Sequence, residues 1–119
     1  MLTTILALLL EGFVVLGLLQ DPSISLKLNP TVGFAPFSTR GTVTIPPHPS
    51  NRDWCLVWAS SEGESGLSCK PLEGERAPKT HQILLKDLSE GEYEVYAELG
   101  TIDGVKVSSK VQMRVLGRE

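Results

Sequence analysis

The residue types able to carry chemistry are few and scattered. Two cysteines stand at Cys55 and Cys69, and two histidines at His48 and His81. Acidic residues gather at Glu62 and Glu64, and again at Glu73 and Glu75. Catalysis needs a nucleophile beside a base, a carboxylate pair, or a cluster of metal ligands at short spacing. His48 lies between prolines and His81 on an alternating segment, and neither falls at a metal-ligand spacing. Two arrangements could still meet a cation: His48 with Asp53, and the four loop glutamates with calcium. Solvated turns account for both. No glycine-rich phosphate loop and no Ser-His-Asp arrangement occurs. These readings predict a protein that is not an enzyme, with no catalytic residue, no cofactor and no metal site.

The cysteines have other chemistry open to them. They enclose thirteen residues centred on Glu62, so a hairpin about that centre sets them opposite each other on one face. That placement predicts a cross-strand disulfide, and closing a loop of this size adds about 3 kcal/mol in the chain-entropy model. A disulfide in turn requires an oxidising compartment.

Two regions of different composition must position these groups. Residues 2–19 are apolar except for Thr3, Thr4, Glu11, Gly12 and Gly17. As a helix, such a run is about 27 Å long, close to the ~30 Å hydrocarbon core of a bilayer. It is read as an N-terminal hydrophobic helix over residues 1–20, either a cleaved secretory signal peptide or an uncleaved anchor that holds the membrane through residues 2–19. Before Lys27 the α-amino group is the only positive charge, and the nearest cleavage-like triplet is Val15-Leu16-Gly17. A carboxylate at mid-bilayer costs about 2.5–3.5 kcal/mol. Glu11 is thus either an interruption that the surrounding Leu, Ile, Val and Phe outweigh, or an intramembrane or assembly contact with the Met1 amine or a neighbour's cation. Both readings of the segment put residues 21–119 outside the cytoplasm, membrane-anchored or secreted.

From Asp21 onward the pattern turns to alternation, the signature of strands with one buried face. Ile24, Leu26 and Leu28 alternate with polar residues, then Gly41, Val43 and Ile45, with residues 31–36 read as a connection between the two runs. In residues 53–60, Trp54, Leu56 and Trp58 share one face, and Cys55, Val57 and Ala59 the other. If the tryptophans face the core, the disulfide lies outside. A short strand at residues 67–70 and a fifth at residues 80–86 follow. Tyr93, Val95, Ala97 and Leu99 then alternate with Glu92, Glu94, Tyr96 and Glu98. Asp103-Gly104 is a hairpin signal. Val105, Val107, Val111, Met113 and Val115 are read as one face of a last strand, with Lys106, Lys110 and Arg114 opposite the glutamates. About seven strands without helical periodicity predict an all-β sandwich.

Residues 29–36, Asn-Pro-Thr-Val-Gly-Phe-Ala-Pro, followed by a strand, resemble the opening of PKD-type domains. The run Leu88-x-x-Gly91-x-Tyr93-x-Val95 is similar to their penultimate strand and to the tyrosine corner of immunoglobulin and fibronectin type III sandwiches. The resemblance covers residues 24–116. It implies an Ig-like sandwich with Tyr93 filling the core and its hydroxyl bonded to nearby backbone, and Trp58 on the aromatic third strand. The chain departs from the family after that strand. Residues 58–64 read Trp-Ala-Ser-Ser-Glu-Gly-Glu where PKD domains commonly carry Trp-Asp-Phe-Gly-Asp-Gly, so a role tied to that acidic loop does not carry over.

Charge excludes one partner class. Eleven Lys and Arg against fourteen Asp and Glu leave a net charge of −3, with no basic face for nucleic acid. The expected function is a non-enzymatic surface module, acting in adhesion, protein or carbohydrate binding, or as a spacer. Its alternative is a structural subunit of a filament or virion with the N-terminal helix packed in the assembly. A third class is an accessory or inhibitor domain that docks through residues 60–66 and 73–79. The protein or glycan partner is not named by the residues.

Overall fold

The cleanest alternation in the chain forms its central strand. In the computed structural model, which describes residues 21–117, Gly91–Thr101 is the seventh of nine strands among the described residues. The others are β1 (Ser25–Asn29), β2 (Val32–Phe34), β3 (Phe37–Thr44), β4 (Asn51–Ser60), β5 (Ser65–Pro71), β6 (Thr80–Leu88), β8 (Gly104–Val107) and β9 (Val111–Leu116). One 3-10 turn, Gly74–Arg76, interrupts the β5–β6 connection. The N-terminal hydrophobic segment, with Glu11, lies outside the described residues.

Two sheets face each other. β1-β3-β6 make one, and β2-β9-β7-β4-β5 make the other, with β8 also paired to β7. The inward rows supply the core: Ile24 just before β1 and Leu26 within it, Val43 from β3, Trp54 and Leu56 from β4, Leu85 and Leu88 from β6, and Met113 and Val115 from β9. They close on Tyr93, Val95, Ala97 and Leu99 of β7, all sealed from solvent. The chain is an all-β sandwich, and the tryptophan face of β4 is its inner face.

Two readings of the sequence are corrected. Residues 31–36 are more than a connection, because β2 pairs parallel with β9, Val32 beside Arg114 and Phe34 beside Leu116. Here the chain passes from one sheet to the other. Gly33 is needed where it passes, since a Cβ there would collide with the Phe37 ring. The second correction concerns residues 105–115, which form two strands of opposite parity. β8 pairs Val107 with Glu98, whereas β9 pairs Val111 with Val95, a slip of one residue along β7. Ser108 makes the slip. Its amide donates to the Ala97 carbonyl, and its hydroxyl accepts from the Ala97 amide, 2.8 Å away. A one-residue bulge flips every later side chain to the other face. Val105 and Val107 therefore point outward, and Met113 and Val115 inward.

Core deletion on β7 should cost most. Leu99→Ala removes a side chain with no exposed surface and is expected to lower stability by about 2–5 kcal/mol in urea denaturation. Leu84→Ser, on the outer side of β6, is expected to change it by less than about 1 kcal/mol.

Candidate functional site: the outer face of the six-stranded sheet

Because β7 and β4 pair along most of their length, their outward residues line up in rows across the sheet. One row runs Cys69, Cys55, Glu98, Val107. The next runs Leu67, Val57, Tyr96. The Cys55–Cys69 disulfide links directly opposed residues of β4 and β5, a sequence separation of 14, and lies on the outer face. It ties the end strand β5 to the sheet and so fixes where Leu67 stands. Leu67 is 67% exposed, Val107 54% and Val105 62%. With half-buried Val57 and Tyr96 between them, they make an apolar strip across the upper part of the face.

The lower rows are charged. Arg114 reaches Glu92 at 2.9 Å, and Lys110 reaches Glu94 at 3.1 Å. Lys110 also stands over the Tyr96 ring, 5.7 Å from its centre. Bonds from Lys110, then from Gln112, hold the Glu94 carboxyl below its ordinary value. Both pairs are exposed and screened by solvent, so they add little to stability and serve to hold the side chains in place. Lys106 does not join the row, because it stands in register with Leu99.

Tyr93 lies at the foot of β7, 1% exposed. Its hydroxyl proton is shared between the Ser89 carbonyl, 2.9 Å away, and Glu64 Oε2, 3.1 Å away. Ser89 Oγ donates to the other Glu64 oxygen. The Ser60 hydroxyl accepts from the amides of Glu62 and Glu64, which closes the β4–β5 turn. Residues 60–64, part of the segment 60–66 read from the sequence as a docking surface, are thereby clamped to the β6–β7 corner. Burial pushes the Tyr93 hydroxyl above its ordinary value of 10.0, and the bond to the Glu64 carboxylate acts in the same direction.

The remaining predicted residues are dispersed. Trp54 and Trp58 lie on the inner side of β4, Trp54 buried and Trp58 half-buried against β5. His48 Nδ1 faces the Ser50 hydroxyl and amide at 2.7 and 3.0 Å, a local turn. His81, on the alternating segment that forms β6, is half-buried, because it pairs with Val43 and so faces inward, its ring 5.2 Å from that of Trp54. No group of three or more His, Cys, Asp or Glu among the described residues is placed to hold a metal ion. The outward valines of β8 escaped the sequence reading because the bulge at Ser108 depends on hydrogen bonds to Ala97 and carries no compositional signal.

No family model matches the chain, and no curated protein matches it. Solved structures do. A superoxide reductase (neelaredoxin) from Ignicoccus hospitalis superposes with a TM-score of 0.61 at 17% identity, over 78% of this chain and 80% of that one. The human F-spondin reeler domain gives 0.59 at 12%, over 78% and 89%. The sensor domain of an anti-sigma factor from Pseudobacteroides cellulosolvens gives 0.57 at 13%, over 84% and 99%. Likeness at such low identity establishes the β-sandwich fold and carries no activity with it.

The tyrosine makes an alkaline test. The folded state holds the phenol proton to higher pH than the unfolded chain does. The stability this supplies is complete below about pH 10 and is lost as pH rises through the folded value. Tyr93→Phe is expected to cost about 1 kcal/mol at neutral pH through its lost hydrogen bonds. In thermal melts the gap between wild type and variant should shrink above about pH 10, and a constant gap would show that the phenol is not held neutral by the fold.

Proposed function

We propose that the chain is a non-enzymatic, extracytoplasmic Ig-like module that binds a protein partner through the outer face of its six-stranded sheet, and that residues 1–20 carry it to or through a membrane. The apolar strip of Leu67, Val57, Tyr96 and Val107 beside the disulfide carries this reading. Scattered exposed apolar residues are ordinary. A group of them on two neighbouring rows of a rigid sheet, with a tyrosine among them and ion pairs along one side, has the anatomy of an interface. Tyrosine supplies wide contact area at small entropic cost, which suits it to the middle of such a patch.

The Ig-like assignment is supported by topology. β1, β3 and β6 share one sheet and β4, β7 and β9 the other, as the A, B, E and C, F, G strands of immunoglobulin domains do. Tyr93 near the start of β7 bonds backbone four residues upstream, the arrangement of a tyrosine corner. PKD and fibronectin type III domains share both features, so the reading stops at the wider class. The disulfide joins β4 to β5 within one sheet and is distinct from the sheet-to-sheet bridge of antibody domains. Its presence supports an oxidising compartment.

The test pairs location with binding. Surface labelling of intact cells with a membrane-impermeant amine reagent should modify the protein, and Cys55 and Cys69 should resist alkylation until reduced. Leu67→Lys with Val107→Glu should leave the unfolding transition nearly unchanged. The same pair should lower recovery of a cross-linked partner at least tenfold. Free thiols in a cytosolic fraction, or equal recovery by the double variant, would contradict the reading.

A further inference from the structure

A second surface lies where both sheets end. β5 is the last strand of the larger sheet and β6 of the smaller, and neither is paired on its far side among the described residues. Between these edges runs a groove of about 230 Å³. Trp54, Leu56 and Trp58 of β4 form its floor, Ser68 and Lys70 of β5 one wall, and residues 82–85 of β6 the other. The Trp58 ring lies against the β5 backbone at Gly66, where a Cβ would collide with it.

The groove has an unmet chemical demand. Trp54 is 3% exposed, yet its indole Nε1 has no hydrogen-bond partner among the described residues. A buried donor left without an acceptor forfeits the hydrogen bond it made to water in the unfolded chain. His81 Nε2, on the ring packed against Trp54, is also buried and unpartnered. Two open strand edges add backbone groups that have no strand partner on that side among the described residues. Lys70 is the one charged side chain among the lining residues.

We propose that this groove accepts an extended strand from a partner protein, paired edge-on to β6. Its alternate apolar side chains rest on Trp54, Leu56 and Trp58, and an acidic residue meets Lys70. Strand addition answers each feature at once. The incoming backbone satisfies the β6 edge, and a carbonyl supplies the acceptor that Trp54 Nε1 lacks. Period-two side chains match a floor of large apolar groups, and the lone lysine selects an anionic position. A helix, its backbone bonds already internal, would leave the edges unpaired.

The chain's two tryptophans both line the groove, so intrinsic fluorescence reads occupancy directly. The full-length chain in detergent would be titrated with the peptide acetyl-Glu-Val-Thr-Val-Thr-Val-Thr-amide and with its backbone N-methylated form. The expected result is a saturable change with the first peptide, at least tenfold weaker binding of the second, and slowed amide exchange at residues 82–85. Lys70 stands on the groove side of β5 and is itself solvent-exposed, so Lys70→Glu should fold and should weaken binding about tenfold, and replacing the peptide's glutamate with lysine should restore it. Leu67→Lys with Val107→Glu should leave the titration unchanged, which separates this site from the outer face. The proposal is overturned by no saturable change up to millimolar peptide, by equal binding of the N-methylated form, or by failure of the charge exchange. It is equally overturned if the slowed exchange follows protein concentration without peptide, which would assign the edges to a second copy of the chain.

Discussion

β7 cannot move by one residue without reversing the protein. Its inward row is Tyr93, Val95, Ala97 and Leu99, and its outward row begins Glu92, Glu94, Tyr96 and Glu98. A slip of one position would carry three carboxylates into the space between the sheets, where an unpaired charge costs several kcal/mol. Burial of a Val, Leu or aromatic side chain contributes about 1.5–3 kcal/mol each in the observed register. β4 is paired along one side of this strand, and β9 and β8 share the other. The positions of the disulfide, the apolar strip and the groove floor all follow from that pairing.

Much of this was legible in the residues because the deciding interactions are local. The unbroken alternation of β7, the hairpin symmetry of Cys55 and Cys69 about Glu62, and the inward choice of Trp54 and Leu56 need only a period-two backbone and a sense of which side is apolar. Asp103 also lies in a hairpin, with Ile102 and Asp103 at the turn between β7 and β8. What was not legible depends on partners far along the chain. β2 is three residues long and takes its hydrogen bonds from β9, more than eighty positions away. The reversal at Ser108 is decided by the Ala97 backbone. The groove is formed by edges of different sheets, so no single segment announces it.

The two surfaces divide along chemical lines. The outer face presents finished side chains, each with a neighbour: Lys110 has Glu94 and Tyr96, and Arg114 has Glu92. The groove holds an unfinished one, the Trp54 indole N–H, which the described residues leave unmatched. A face of the first kind binds by shape and area, and one of the second kind by backbone pairing. Glu64 adds to the rigidity of the whole, because its carboxylate gathers Ser89 and Tyr93 and fastens the β4–β5 turn to the β6–β7 corner. Both surfaces are thus carried on a frame held at one end by that cluster and at β5 by the disulfide.

Native-state hydrogen exchange measures the frame most directly. If β7 organises the sandwich, the amides of Tyr93, Val95, Ala97 and Leu99 should exchange only with global unfolding, slower than any on β5 or β8, and Leu99→Ala should speed all four together. Exchange on β7 as fast as on those outer strands would contradict the account.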